Sequence, residues 1–149
     1  MAIAYELGVS TVAAANAAAY AEFRCNGTRR AKVREVGMFS QAATAAAKTQ
    51  LGRPGNTPAG GTVTVGGAQD PGDAAAVSGI TTTWSTAPTV PATAFRQWDF
   101  NNVIGSGVVF TWPSDGELVA GSSVANGLVV WNGGSAAGPA CDLYMVWSE

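Results

Sequence analysis

The chain has no histidine, only two cysteines, and charged side chains at 12% of its 149 residues, about half the share usual in soluble domains. Without histidine, Ser-His-Asp and Cys-His catalytic arrangements are excluded and zinc sites of the usual Cys/His type lose their support. Cys25 and Cys141 are too far apart in sequence for metal-site spacing and too few for a disulfide framework, so both are read as free, partly buried thiols. A net charge of −2 argues against general nucleic-acid binding, where a basic footprint dominates affinity. Residues 1–7 lack a basic segment and are interrupted by Glu6, so no secretory signal is read. The apolar stretch 12–23 carries Asn16 and Glu22 and falls short of the about 20 residues that cross a bilayer. No membrane role is expected.

Chemistry is equally sparse. Gly60-Gly61 and Gly66-Gly67 lack the lysine and following helix of a phosphate-binding loop. Among the scattered carboxylates only Asp115 and Glu117 come close in sequence, and Asp115 is explained as a turn residue in Pro113-Ser114-Asp115-Gly116. A glycosidase pair assembled in three dimensions is the weakest of three functional classes considered. The chain is read as a non-enzyme with no cofactor and no metal. Asp70 and Asp73 suggest calcium ligands, yet Asp70-Pro71-Gly72-Asp73 before an alanine run fits a capped short helix better.

What is present is apolar and β-prone. Residues 95–100, 107–113, 127–131 and 140–148 are four apolar runs separated by Gly, Ser, Pro and Asp, and each carries a tryptophan. That spacing predicts packed antiparallel strands. Residues 17–25, 31–40, 42–51 and 81–85 are read as further strands, with Asn26-Gly27 as a hairpin turn. The apolar parity of 31–40 breaks after Glu35, which predicts a bulge near 35–37 or burial on both faces. Residues 1–10 are a first strand or an extended arm, and 52–78 form a long loop region with at most a short edge strand at 62–65. The expectation is one all-β domain over 1–149, an antiparallel sandwich of jelly-roll type with at most one short helix.

In the last strand Cys141, Leu143, Met145 and Trp147 line one face and Tyr144 and Val146 the other, while Leu128 and Val130 oppose Val129 and Trp131. Strands apolar on both faces are covered on both. A second subunit is the expected cover, which makes Val129, Trp131, Tyr144 and Val146 candidates for an oligomer interface, most simply in a closed trimer. Five of the eight basic residues lie between Arg24 and Arg34: Arg24, Arg29, Arg30, Lys32 and Arg34. They form either a solvated strand face or a docking surface for an acidic partner. Trp84 and Trp98 are the candidates for stacking on sugars.

Three strings, Arg29-Arg30-Ala31-Lys32-Val33-Arg34-Glu35-Val36-Gly37-Met38-Phe39, Leu51-Gly52-Arg53-Pro54 with Asn56-Thr57-Pro58, and Leu128-Val129-Val130-Trp131-Asn132 with Tyr144-Met145-Val146-Trp147, together resemble a family of small virion proteins of tailed phages and prophages. The resemblance implies a jelly-roll decoration or cement protein on the capsid exterior, a trimer seated where capsomers meet, bound to the major capsid protein, without enzymatic activity. Cys25, Cys141 and the Gly/Thr-rich stretch 60–67 depart from the pattern. On this reading Arg29, Arg30, Lys32, Arg34, Arg53, Pro54, Asn56 and Pro58 are the candidate capsid contacts. The rival is a carbohydrate- or receptor-binding module on a head or tail fibre, using Trp84 and Trp98.

Overall fold

The computed structural model describes the whole chain except residues 1, 26–28, 44–46, 90, 92, 102 and 122. The Asn26-Gly27 turn therefore lies outside the described residues. The strands are β1 (Ala4–Ser10), β2 (Ala19–Cys25), β3 (Ala31–Ser40), β4 (Ala47–Gly52), β5 (Thr64–Val65), β6 (Gly67–Ala68), β7 (Ser78–Thr81), β8 (Ala94–Phe100), β9 (Gly107–Thr111), β10 (Leu118–Ala120), β11 (Leu128–Asn132) and β12 (Cys141–Ser148). One sheet runs β10-β3-β12-β1-β6, with β9 also on β3; the other runs β5-β7-β2-β11-β4-β8. All strand pairs are antiparallel.

This order is that of a jelly roll. The last strand, β12, inserts between β1 and β3, and the one before it, β11, between β2 and β4. β8 then flanks β4 in one sheet while β9 flanks β3 in the other, which completes two nested Greek keys across a double sheet. The first and second sheets are called A and B below. Their inner faces meet in a core containing Tyr5, Val36, Met38, Leu143, Met145 and Trp147 from sheet A and Phe23, Leu51, Ile80, Leu128 and Val130 from sheet B. Trp147 is fully buried, with Phe23 edge-on at 4.9 Å and Tyr5 stacked at 6.0 Å. Removing an aromatic of this size from water is favourable by ~4–6 kcal/mol.

Several expectations shift in register or kind. β3 occupies residues 31–40 as expected, and its bulge falls one residue early: Val146 pairs with Glu35 but Trp147 with Val33, leaving Arg34 as the extra residue. That slip returns Val36 and Met38 to the inner face beside Val33. Of the two alternatives for 1–10, strand or extended arm, Ala4–Ser10 is strand: β1 pairs with β12 along its full length. The strand expected at 81–85 lies earlier, at Ser78–Thr81. Asp70 starts a turn and no helix: its carboxylate accepts from the Gly72 N–H at 2.9 Å and its carbonyl from the Asp73 N–H at 3.0 Å. The side chain thus competes with a helical backbone for the same donors. Among the described residues the one helical turn is the 3-10 segment Val124–Asn126.

Candidate functional site

The outer faces of the two sheets differ, and this difference defines the candidate site. On sheet B, alternation from inward Phe23 turns Glu22 and Arg24 outward, with Val129 directly opposite Glu22. Glu22 and Val129 are nevertheless 0% exposed and Trp131 is 1% exposed. The cover is the chain itself. Residues 53–62 and 82–89 cross this face and are tied together by the Ala59–Thr86 bridge. The Asn56 side chain reinforces the tie, donating to the Ala87 carbonyl at 3.0 Å and accepting from the Thr89 N–H at 2.9 Å. Underneath, the Glu22 carboxylate holds the Arg24 guanidinium at 2.8 Å and accepts from the Trp84 indole N–H at 2.7 Å. Arg24 in turn donates to the Gly60 carbonyl at 2.8 Å. A buried charge requires partners of this kind.

This loop layer corrects four expectations. Val129 and Trp131 have no surface left for a second subunit, so the two-sided apolar pattern of β11 is satisfied within one chain. Arg24 does not belong to the basic face formed by Arg29 to Arg34, since it lies under the layer on the other sheet. Arg53 is a clamp: its guanidinium donates to the carbonyls of Asn126 and Val119, both at 2.8 Å, and sits 5.6 Å over the Phe95 ring. With Asn56 committed to the facing loop and Pro58 buried, the 53–58 string is internal bracing, with only half-buried Pro54 at a surface groove. Trp84 and Trp98 cannot form one sugar platform because they lie on opposite faces of sheet B. Trp84 is outside, engaged by Glu22, whereas Trp98 faces inward with Phe110 edge-on at 5.2 Å.

Among the described residues, sheet A has no such layer. Its outward residues are Glu35, Gly37 and Phe39 on β3, Asp142, Tyr144 and Val146 on β12, and Glu6, Gly8 and Ser10 on β1. Tyr144 and Val146 are half-buried and Val109 of β9 is 44% exposed. The Tyr144 ring lies across Gly37, where any Cβ would overlap it, and its hydroxyl donates to Glu35 at 2.6 Å. That hydrogen bond, with burial and the Glu35 charge adding to it, pushes the phenol up to about 12. Beside the ring a shallow groove of about 490 Å³ runs over Gly8 and Gly67. A second, of about 210 Å³, reaches Phe39 and Asp142. Asp142 is fixed there by Ser10 at 2.9 Å and Gln41 at 2.5 Å.

At the other end of the same face Arg30, Lys32 and Arg34 line a groove of about 330 Å³ with Ala4, Ser148 and Glu117. The structure brings these three basic candidates together and leaves Arg29 exposed beside them. Glu149, at the groove's rim, is turned to the protein, accepting from the N–H groups of Ser78 at 2.8 Å and Val77 at 3.2 Å and from the Trp147 indole at 3.1 Å. Burial works to raise the Glu149 carboxyl pKa, but these hydrogen bonds outweigh it and the net shift is downward.

Sequence reasoning missed Asn132, whose buried amide donates to the carbonyls of Ala14, Ala15 and Ala136 at 2.9–3.0 Å. An Asn closing an apolar strand before a Gly-rich loop was the available signal. Cys25 and Cys141 are both unpaired and buried. They sit at opposite ends of the sandwich, Cys25 beside Ser78 and Cys141 beside Thr11. Burial, with the Asp142 charge adding to it, pushes the Cys141 thiol up to about 12. Asp115 and Glu117 occupy an exposed turn and its flank, and among the described residues no group of His, Cys, Asp or Glu is placed to hold a metal ion. No family model, curated protein or solved structure matches this chain.

Proposed function

We propose that this chain is a non-enzymatic capsid decoration protein that reinforces a phage shell through the open face of sheet A. The observation that carries the reading is the contrast between the two outer faces. Sheet B spends two long loops on its own cover, whereas sheet A presents an open surface around Tyr144 and Val146, with Gly8, Gly37 and Gly67 beside them. Glycines on a docking face leave fewer side chains to immobilise, which lowers the entropic cost of binding. The mechanism is mechanical: area buried across capsomer boundaries resists displacement of neighbouring subunits. Such a contact requires on the order of 1,200 Å² or more of buried surface in total. The partner is the major capsid protein, and the chain sits as a trimer on the particle exterior, the arrangement that the resemblance to virion proteins implies.

Quantitative mass spectrometry of purified particles tests the assignment. Hundreds of copies per particle are expected. Six or fewer would place the protein on the tail and refute the decoration role.

A further inference from the structure

Arg30, Lys32 and Arg34 bring three cations to one groove. Among the described residues the one ion pair is Arg24–Glu22, so none of the three has a carboxylate partner. Two carboxylates line the same groove: Glu149 keeps its charge but turns its oxygens to Ser78, Val77 and Trp147, and Glu117 makes no ion pair among the described residues, so three cations stand against two anions. The groove floor is built from small side chains, Ala2, Ala4 and Ser148, so an extended backbone can approach closely. Lys32 pairs with Ser148, which pairs with Ala4, so the floor continues the strand row on which the lysine stands.

We propose that this groove binds an extended acidic peptide segment of a partner protein, with carboxylates at alternate positions. Lys32 stands on β3, Arg30 just before it and Arg34 at its bulge, and all three line the one groove. An extended peptide presents side chains on one face at a spacing of about 6–7 Å, a repeat that can bring successive carboxylates to such a cluster. Guanidinium groups take carboxylates in two-pronged hydrogen bonds, which adds direction to the charge attraction. Nucleic acid is a poorer match. The chain carries a net charge of −2, and a footprint of three or four cations supports only weak polyanion binding at physiological salt. The biological setting of this proposal rests on the docking role above; its chemistry does not.

The test is a titration of the intact protein with a capped Gly-Glu-Ser-Glu-Ser-Glu-Gly peptide, followed by amide NMR shifts. Its Gln-substituted counterpart and an oligothymidylate of equal charge serve as comparisons. The Glu peptide is expected to shift the amides of Ala4, Lys32 and Ser148 saturably, with affinity falling as salt rises. The double variant Arg30→Gln, Lys32→Gln removes exposed charges only, and should weaken binding at least tenfold while leaving the spectrum folded. Equal binding of the Gln peptide, no shifts at these amides, or tighter binding of the oligonucleotide would each overturn the proposal. Because no particle is involved, its failure leaves the decoration role standing, and a low particle copy number leaves the groove chemistry standing.

Discussion

Replacing Glu22 by alanine asks whether sheet B is closed by its own loops and the ion pair beneath them. Glu22 is fully buried and its carboxylate serves two donors, Arg24 at 2.8 Å and Trp84 at 2.7 Å. Its removal leaves a guanidinium that is 9% exposed without its counter-charge. Breaking a buried pair from one side costs ~3–5 kcal/mol, largely from the stranded charge. The lost indole bond to a charged acceptor adds ~1–2 kcal/mol, with the two effects overlapping. An expected loss of about 4–6 kcal/mol is a large share of the ~5–15 kcal/mol that stabilises a typical domain. For a chain of this size the melting temperature should fall by roughly 2–4 °C per kcal/mol. Urea unfolding followed by tryptophan fluorescence reads the change directly, and Glu22→Gln, which keeps an acceptor for Trp84, should lose less. The difference between the wild-type and Glu22→Ala stabilities should not change with protein concentration, because no second subunit covers Glu22. A loss under about 1 kcal/mol, or a difference that grows with concentration, would refute the reasoning.

Three further outcomes follow from the geometry. Asn132→Ala strands the buried Ala14 carbonyl and removes the amide that also ties down the part-buried carbonyls of Ala15 and Ala136, and should cost ~1–3 kcal/mol in urea unfolding, with proteolytic nicking appearing first in residues 11–18 or 133–138. Gly37→Ala drives the Tyr144 ring off the sheet and breaks its bond to Glu35, so ultraviolet titration should show this phenol ionising well below the native value of about 12. Glu149 has a folded pKa below its unfolded value, so its contribution is present above the unfolded value and lost as pH falls through the folded one. Glu149→Gln should flatten the acid limb of the stability profile below about pH 4.5, and an unchanged limb would contradict the assigned hydrogen bonds.

The sequence carried the sandwich because period-two alternation in β12 and β3 reports one buried face directly. Cys141, Leu143, Met145 and Trp147 all lie inside. The bulge was legible too, since Val33 and Val36 cannot share a face without an extra residue, and Arg34 is that residue. β11 was harder. An apolar outer face says that something covers it, but not whether the cover is another subunit or a loop forty to seventy residues away. The cover turned out to be the breaker-rich segments 53–62 and 82–89, whose prolines and glycines read as irregular structure and hide a bridged, braced layer. Arg53 and Asn56 looked like outward contacts for the same reason: polar residues in a loop give no sign that their hydrogen bonds point back to backbone. The three basic residues at 30, 32 and 34 were legible as a cluster, whereas the small-residue floor beside them depends on the pairing of β1, β12 and β3.

The central claim is that sheet A, and not the loop-covered sheet B, meets the shell. The most direct measurement is the copy number on purified particles of wild type, Val146→Glu and Thr57→Glu. Val146 lies on the open face, while Thr57 is exposed on the loop layer over sheet B. The account predicts that Val146→Glu falls to a small fraction of wild-type occupancy while folding normally, and that Thr57→Glu stays at the wild-type level. Loss of occupancy in Thr57→Glu with Val146→Glu unaffected would contradict it.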